Sequence, residues 1–265
     1  MWTRMSTPPV KGSGLTGLFT LIEREYYRFA RLAAQTIAPP VIMTGLFVVI
    51  FGYSLGGQIE SISGFSYILY ILPGLAGMGA ITNSYSNSST SLYMARIDRS
   101  IENILVAPLS PLKIVTAFVI GGVTRGLVVG TVTVAVAALL TDLTIDHVGW
   151  GLTVMTLISV IFSSLGVISA LWAEDWDHLA TFSNFVITPF VYLGGVFYSV
   201  TMLPGIWQKV SYANPMFYFI DAFRWAVLGR GDLCPWLSIG VTAFFAAGLL
   251  SLAVLLFRSG YKLVV

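Results

Sequence analysis

Few side chains in this sequence could support acid–base, metal or nucleophilic chemistry. Its two histidines stand near acids, in the groups Asp142, Asp146 and His147, and Glu174, Asp175, Asp177 and His178. Imidazole and carboxylate groups can ligate a metal ion, but neighbouring acids on short loops are usually solvated. The single cysteine, Cys234, excludes an intrachain disulfide and a CxxC metal motif. We therefore expect no catalytic residue and no metal site.

The sequence also lacks a nucleotide-binding motif. The sequence has neither a GxxxxGK[ST] loop nor a GxGxxG loop, whose backbone N–H groups would cradle phosphates. We expect no cofactor in this chain, so ATP and Mg²⁺ would have to be bound by a partner. The net charge of +2 comes from scattered residues, which argues against a nucleic-acid partner.

Composition indicates a membrane protein. Of the 265 residues, 56% are hydrophobic and 10% charged, with a mean hydropathy of +0.84, whereas soluble domains have about 25% charged residues. The first apolar run begins only near Ile37, so we expect no removable signal peptide. We expect a flexible segment 1–14, an amphipathic helix 15–37 and a single transmembrane domain 38–265.

The apolar pattern predicts an all-α membrane domain with six transmembrane helices. The predicted spans are about 40–55, 65–92, 114–140, 148–172, 178–197 and 236–257. Each is near the ~20 residues that cross the ~30 Å hydrocarbon core. Helices are required because backbone polar groups in lipid must be satisfied within the segment.

The distribution of lysine and arginine predicts the orientation. One side receives ten of these residues, namely Arg4, Lys11, Arg24, Arg28, Arg31, Arg96, Arg99, Lys113, Arg258 and Lys262. The other side receives three, namely Lys209, Arg224 and Arg230. Both termini and the loop Ala95–Lys113 are therefore predicted to be cytoplasmic.

Two short elements flank the spans on the predicted cytoplasmic side. Leu15–Ile37 is amphipathic, with Arg24, Arg28 and Arg31 on its polar face, which predicts a helix lying on the membrane surface. In the loop, Ile97, Ile101, Ile104 and Leu105 fall at helical spacing. This spacing predicts one short amphipathic helix, ended by Pro108 and Pro111, that needs a partner surface.

The predicted outer segment 198–230 contains a second unusual element. Asn214 and Pro215 form a helix start and Gly229 a helix end. The 14 residues between are too short to span the membrane and too apolar for water, so we expect a re-entrant helix. Asp221 and Arg224, three residues apart, can pair. A shorter helix is expected within 199–212.

Polar residues inside the predicted spans are candidates for a transport pathway. Arg125 lies roughly halfway across the third span, and a charge at that depth usually faces the bundle interior or a water-filled cavity. It could contact an anionic substrate or hydrogen-bond a neighbouring helix. The other candidates are Asn83, Asn87, Asn184 and Pro189. The spans contain no Asp or Glu, which argues against an ion-coupled carrier.

The sequence resembles the ABC-2-type permeases, the membrane subunits of ATP-binding-cassette exporters, and within them the YadH-like and NodJ-like bacterial branch. The similar segments are EREYYRFAR, YILPGL, IENILVAPLS, GGVTRGL and GGVFYSVTMLPGIWQKVSYANPMFYFIDAFR. The last of these is the most specific, and together they cover nearly the whole chain.

The resemblance implies a type V exporter-like fold in the bacterial inner membrane, in which two copies of the chain pair with two ATPase subunits. The coupling helix would carry Arg96, Asp98, Arg99, Ile101, Glu102 and Leu105, and the connecting helix Glu23, Arg24, Arg28 and Arg31. The second and fifth spans would line the path, and outer helices with Asn214, Pro215, Asp221 and Arg224 would close it. Membrane lipid would surround the domain, and the resemblance does not identify the transported substrate. Alternatives are an ion-coupled secondary transporter and a non-transporting scaffold subunit.

Overall fold

The computed structural model describes residues 14–31, 33–54 and 61–262. The predicted flexible segment lies, apart from Gly14, outside the described residues. The described chain is helical, with a single isolated β-bridge between Ile62 and Phe65. The helices are α1 (Gly14–Arg31), α2 (Ala33–Phe47), α3 (Tyr67–Ile97), α4 (Ser100–Val106), α5 (Pro111–Leu140), α6 (Val148–Trp172), α7 (Trp176–Phe182), α8 (Thr188–Tyr192), α9 (Gly205–Ala213), α10 (Pro215–Leu228) and α11 (Pro235–Arg258).

Four helical segments in the described residues are long and apolar enough to cross a membrane. They are Ala33–Gly52, Pro111–Leu140, Val148–Trp172 and Pro235–Arg258. The predicted boundaries of the fourth span match α6, and those of the third and sixth differ from α5 and α11 by at most three residues. The all-helical membrane fold is thus confirmed, and six crossings stay a prediction.

The predicted division between the amphipathic helix 15–37 and a first span of about 40–55 is wrong. The first helix, α1, ends at Arg31. The next helix, α2, begins at Ala33, contains Pro39 and Pro40, and continues through a π-helical turn, Val48–Ser54. Proline fixes φ near the helical value, but it removes an N–H donor and its ring crowds the carbonyl of residue i−4. Membrane helices tolerate this when neighbouring groups satisfy the freed backbone groups.

The second and fifth predicted spans also differ from the structure. Helix α3 continues past Leu92 to Ile97. Several hydroxyls of its polar run are satisfied inside the protein, and Ser88, for example, donates to the carbonyl of Phe118. The fifth segment consists of α7, a π-helical turn Ser183–Ile187 and α8, and it ends at Tyr192. Turns that include Gly195, with a φ of +78°, replace its predicted last residues.

Helix α3 is the centre of the bundle and packs along α5 and α6, while α11 covers α6. Two groups of buried side chains form the core. The larger contains Ile71, Phe162 and Phe219. The smaller contains Leu92, Phe118 and Phe257 and lies at the end where α3 leads into α4, which we call the basic end because Arg96, Arg99 and Lys113 lie there.

Candidate functional site

The loop at the basic end contains two helices rather than the single helix that its spacing predicts. Helix α3 ends at Ile97, Arg99 adopts a left-handed conformation with φ 58°, and α4 begins at Ser100. The Asp98 carboxylate accepts a 2.9 Å hydrogen bond from the Ser100 N–H. This bond lowers the pKa of Asp98 and competes with continuation of the helix.

Helix α4 has one face fixed in the core and another open to solvent. Ile101 and Ile104 are buried in the smaller core group. Glu102 and Leu105 are exposed, and Val106 retains 87% of its accessible surface. A seven-residue helix has little stability alone, so the buried isoleucines hold α4 in place. Any force on its outer face would reach the core through these side chains.

Arg96, expected on the same short helix, instead lies in the last turn of α3 and is 5% exposed. Its Nη1 donates to the carbonyls of Ala170, in the last turn of α6, and of Ala173, the latter at 3.0 Å. Carbonyls at a helix C-terminus lack partners within the helix and attract cations. Arg96 therefore joins α3 to α6 and is not available on the loop surface, whereas Arg99 is exposed.

A buried carboxylate on α1 was missed by the sequence reasoning. Glu25 is 1% exposed and accepts hydrogen bonds of 2.7 and 2.8 Å from Ser91 of α3. It also forms ion pairs with Arg24 (3.2 Å) and Arg28 (2.9 Å). Its Cβ approaches Gly121 of α5 so closely that an alanine there would come within 2.9 Å of it. Glu25 thus fixes α1 to α3 and places it against α5. The spacing of Glu25 and Arg28, one helical turn apart, was the available signal.

Two predicted pathway residues of α3 lie in different surroundings. Asn87 is 1% exposed, and its side-chain oxygen accepts a 3.0 Å bond from Arg28, so it belongs to the contact with α1. Asn83 donates to the carbonyl of Gly79 and lines a cavity of about 190 Å³ between α2, α3 and α5. Of these two asparagines, Asn83 is the one that lines a cavity.

The remaining pathway candidates are not brought together. Arg125 is half-buried on α5 and makes no hydrogen bond or ion pair to any described residue, which leaves its charge available to a ligand or a second chain. Asn184 and Pro189 lie on the exposed face of the segment α7–α8, beside Phe185 and Phe190, which are 77% and 45% exposed.

Helix α10 agrees with its predicted start and end. The Asn214 side chain accepts a 3.0 Å bond from the N–H of Met216, Pro215 is the first helical residue, and Gly229 ends the helix with φ 70°. The Asn214 amide also donates to the carbonyl of Phe190 at 2.6 Å. One side chain thus fixes the start of α10 against α8.

Replacing Asn214 by alanine is expected to lower the free energy of unfolding by about 1–2 kcal/mol, because both the N-cap and the bond to Phe190 are lost. Thermal unfolding in detergent measures the effect. Asn214→Ser retains a cap acceptor and should recover roughly half of the loss. A serine variant as unstable as the alanine variant would contradict the cap assignment.

The predicted pairing of Asp221 with Arg224 is wrong: no ion pair joins these two described residues. Asp221 accepts bonds from the Asp232 N–H (2.6 Å) and the Ser238 hydroxyl (2.7 Å). Arg224 donates to the carbonyl of Gly195 and lies 4.1 Å over the ring of Tyr70. Partners from distant segments replaced the local pair, so both residues join α10 to the ends of other elements.

The histidines have structural contacts. His178 accepts a 3.3 Å bond from the Glu174 N–H, and the ring of His147 stacks on Trp225 at 4.8 Å. In the described part of the chain, no three His, Cys, Asp or Glu side chains form a group that could hold a metal ion.

The fold and the site define a helical multi-pass membrane protein with an amphipathic N-terminal helix and a short exposed helix at its basic end. A profile of the ABC-2 type transporter family matches residues 16–228, and the chain belongs to this family. Membership implies an ATP-binding partner subunit.

Named relatives agree with this assignment. The chain is 40% identical over 224 residues to the inner membrane transport permease YadH of Escherichia coli, covering 84% of this chain and 87% of the relative. It is 27% identical over 228 residues to nodulation protein J of Sinorhizobium fredii, covering 84% and 86%. Nodulation protein J of Bradyrhizobium diazoefficiens is 25% identical over 241 residues, covering 89% and 90%.

Proposed function

We propose that this chain is the permease subunit of an ATP-binding-cassette exporter in the bacterial inner membrane, with both termini in the cytoplasm. Two copies form the translocation path, and each copy binds an ATPase subunit through the loop Ala95–Lys113. The similarity to an inner membrane transport permease supports the localisation and the class of activity.

The observation that carries the proposal is the asymmetry of α4. Ile101 and Ile104 hold it in the core, while Glu102, Leu105 and Val106 present acidic and apolar groups to solvent. Exposed apolar groups rimmed by charge are typical of protein interfaces. Arg96 then connects the end of α3 to the end of α6, so movement of α4 and its flanking turn is passed to two long helices.

In this proposal, the substrate contacts surfaces of the chain that a second copy would also border. The exposed face of α7–α8 carries Asn184 beside Phe185 and Phe190, and Arg125 has no partner among the described residues. Unpaired polar groups are costly in lipid, so a second chain or a transported molecule has to contact them. The outer helices α9 and α10 then form the exit.

The energy source in this proposal is a separate subunit. The purified permease is expected to hydrolyse ATP no faster than a protein-free control, and hydrolysis should appear when the ATPase subunit is co-expressed and co-purified. The measurement is phosphate release from each preparation under the same conditions. Hydrolysis by the permease alone, retained after further purification, would overturn the assignment.

A further inference from the structure

A cleft of about 630 Å³ lies between α1 and the junction of α3 with α4. Its charged lining residues are Arg24, Arg28, Arg31 and Asp98. This volume is in the range of small-molecule sites, roughly 300–1,000 Å³. Arg28 continues from the cleft into the protein, because its Nη2 donates to the carbonyl and to the side-chain oxygen of the buried Asn87, at 3.1 and 3.0 Å.

The packing of α1 on α5 places Arg125 beside Arg28. The Cβ of Glu25 lies against Gly121 of α5, and Gly17 lies against the segment just before α5. The two helices therefore run in the same direction. One turn beyond the contact of Glu25 with Gly121, Arg28 on α1 and Arg125 on α5 occupy neighbouring positions, and their like charges repel each other.

Helix α3 brings Asn87 to the same level. Two glycines of α5 pack against two serines of α3, in the pairs Gly122 with Ser88 and Gly126 with Ser84. Arg125 lies between these glycines along α5, and Asn87 lies between these serines along α3. The bond of Asn87 to Arg28 places its amide on the side of α1. Arg28, Asn87 and Arg125 thus come from three helices to one place.

Three nitrogens at this place are buried without a hydrogen-bond partner among the described residues. They are the Nε atoms of Arg28 and Arg125 and the Nδ2 atom of Asn87, whose side chain belongs to a residue only 1% exposed. Guanidinium and amide nitrogens donate and do not accept. A buried donor without a partner costs about 1–3 kcal/mol, so the group that satisfies these nitrogens has to be an acceptor.

The carboxylate nearest in sequence cannot supply this acceptor. Both oxygens of Glu25 accept from Ser91, and they also pair with Arg24 and Arg28. The cleft and Arg125 together contain four arginines and two carboxylates, namely Arg24, Arg28, Arg31 and Arg125 against Glu25 and Asp98, and four minus two leaves two positive charges. A phosphate monoester, with about 1.5–2 negative charges at pH 7, matches this excess.

We propose that Arg28, Asn87 and Arg125 bind a phosphate group that enters through the cleft, with both guanidinium groups and the amide donating to its oxygens. The cleft is much larger than a phosphate ion, so the group is the charged end of a larger molecule. That this molecule is the transported substrate rests on the proposed export function. The substrate class is then a phosphate monoester, recognised on the predicted cytoplasmic side.

The test measures thermal unfolding of the purified full-length protein in neutral detergent as inorganic phosphate or phenyl phosphate replaces chloride at constant ionic strength. Both should raise the unfolding temperature in a saturable manner. Phosphate also stabilises proteins by exclusion from their surface, and saturation distinguishes binding from that effect. The assay needs no ATPase subunit, so a negative result would leave the exporter assignment standing, which depends on ATP hydrolysis by a co-purified partner.

Arg125→Gln is expected to raise the half-saturating concentration of phenyl phosphate about tenfold, as for loss of a charge-assisted hydrogen bond. Arg125→Lys keeps the charge but loses the planar fork and should have an intermediate effect. Without added phosphate, Arg125→Gln should unfold at the temperature of the parent protein or above it, because a charge that repels Arg28 is removed.

The matched control is Arg258→Gln, which removes an exposed arginine from the last turn of α11, outside the cleft. It should change the half-saturating concentration less than about twofold, because salt screens exposed charges. Equal effects of Arg125→Gln and Arg258→Gln, or no saturable stabilisation of the parent protein, would overturn the site.

Two further results would contradict the proposal in different ways. Saturable binding of inorganic phosphate without binding of phenyl phosphate would assign the site to a free ion and remove the substrate from it. Lower stability of Arg125→Gln without phosphate, together with an unchanged half-saturating concentration, would assign Arg125 to a contact with a second copy of the chain.

Discussion

Reversing the charge of Glu102 is expected to uncouple this permease from its ATPase while leaving it folded in the membrane. Glu102 is exposed in the first turn of α4, so the substitution removes only a helix-terminus interaction of about 0.5 kcal/mol from the permease itself. In the proposed complex it places a cation where an anion is recognised. Charge mismatches at interfaces cost several kcal/mol, so binding of the ATPase should weaken about tenfold or more.

Two measurements check this expectation: the amount of ATPase subunit that co-purifies with tagged Glu102→Arg permease, and transport per ATP hydrolysed in the reconstituted complex. Asp177→Arg is the matched control, since Asp177 is an exposed acid in the first turn of α7 on the same predicted side. It should leave both quantities unchanged. Normal co-purification and transport with Glu102→Arg would remove α4 from the coupling role.

Local signals in the sequence were sufficient where one segment determined its own structure. Asn214, Pro215 and Gly229 define the bounds of α10 because cap and stop residues act within one turn. The uncharged, mainly apolar run of α6 likewise defines its length. The structure of the loop that contains α4 was predicted only in part. Its isoleucine spacing identified the buried face, but the left-handed Arg99 and the Asp98–Ser100 bond divided the predicted helix.

Contacts between distant segments could not be read in this way. Asp221 and Arg224 have the correct spacing to pair, yet Asp221 bonds to Ser238, and Arg224 bonds to Gly195 and lies over Tyr70. Tertiary competition of this kind overrides propensity. The cleft of about 630 Å³ between α1 and the junction of α3 with α4 has the same origin, since its lining residues Arg31 and Asp98 come together only in the folded chain. The sequence showed the arginines of α1 as one polar face, but it did not show which residues lie opposite them.

Among the residues whose contacts could not be read from the sequence, Glu25 is the one whose replacement is expected to lower stability most. Its carboxylate accepts from Ser91 and pairs with Arg24 and Arg28, all within the contact between α1 and α3. In Glu25→Ala the Ser91 hydroxyl loses its partner, the arginines lose their counter-charge, and a void opens against Gly121. The free energy of unfolding is expected to fall by about 2–4 kcal/mol. The arginines are partly exposed, which keeps the loss below that of a fully buried pair.

Glu23→Ala is the matched control for this prediction. Glu23 is an exposed glutamate on the same helix, two residues away, so its removal should change the free energy of unfolding by no more than about 0.5 kcal/mol. Denaturant unfolding in detergent compares the two variants, and proteolysis near residue 31 reports whether α1 has separated. A stable Glu25→Ala protein with α1 still protected would show that apolar contacts such as Phe29 hold the helix without the carboxylate. Separation of α1 in Glu25→Ala alone would establish Glu25 as the polar anchor of this helix.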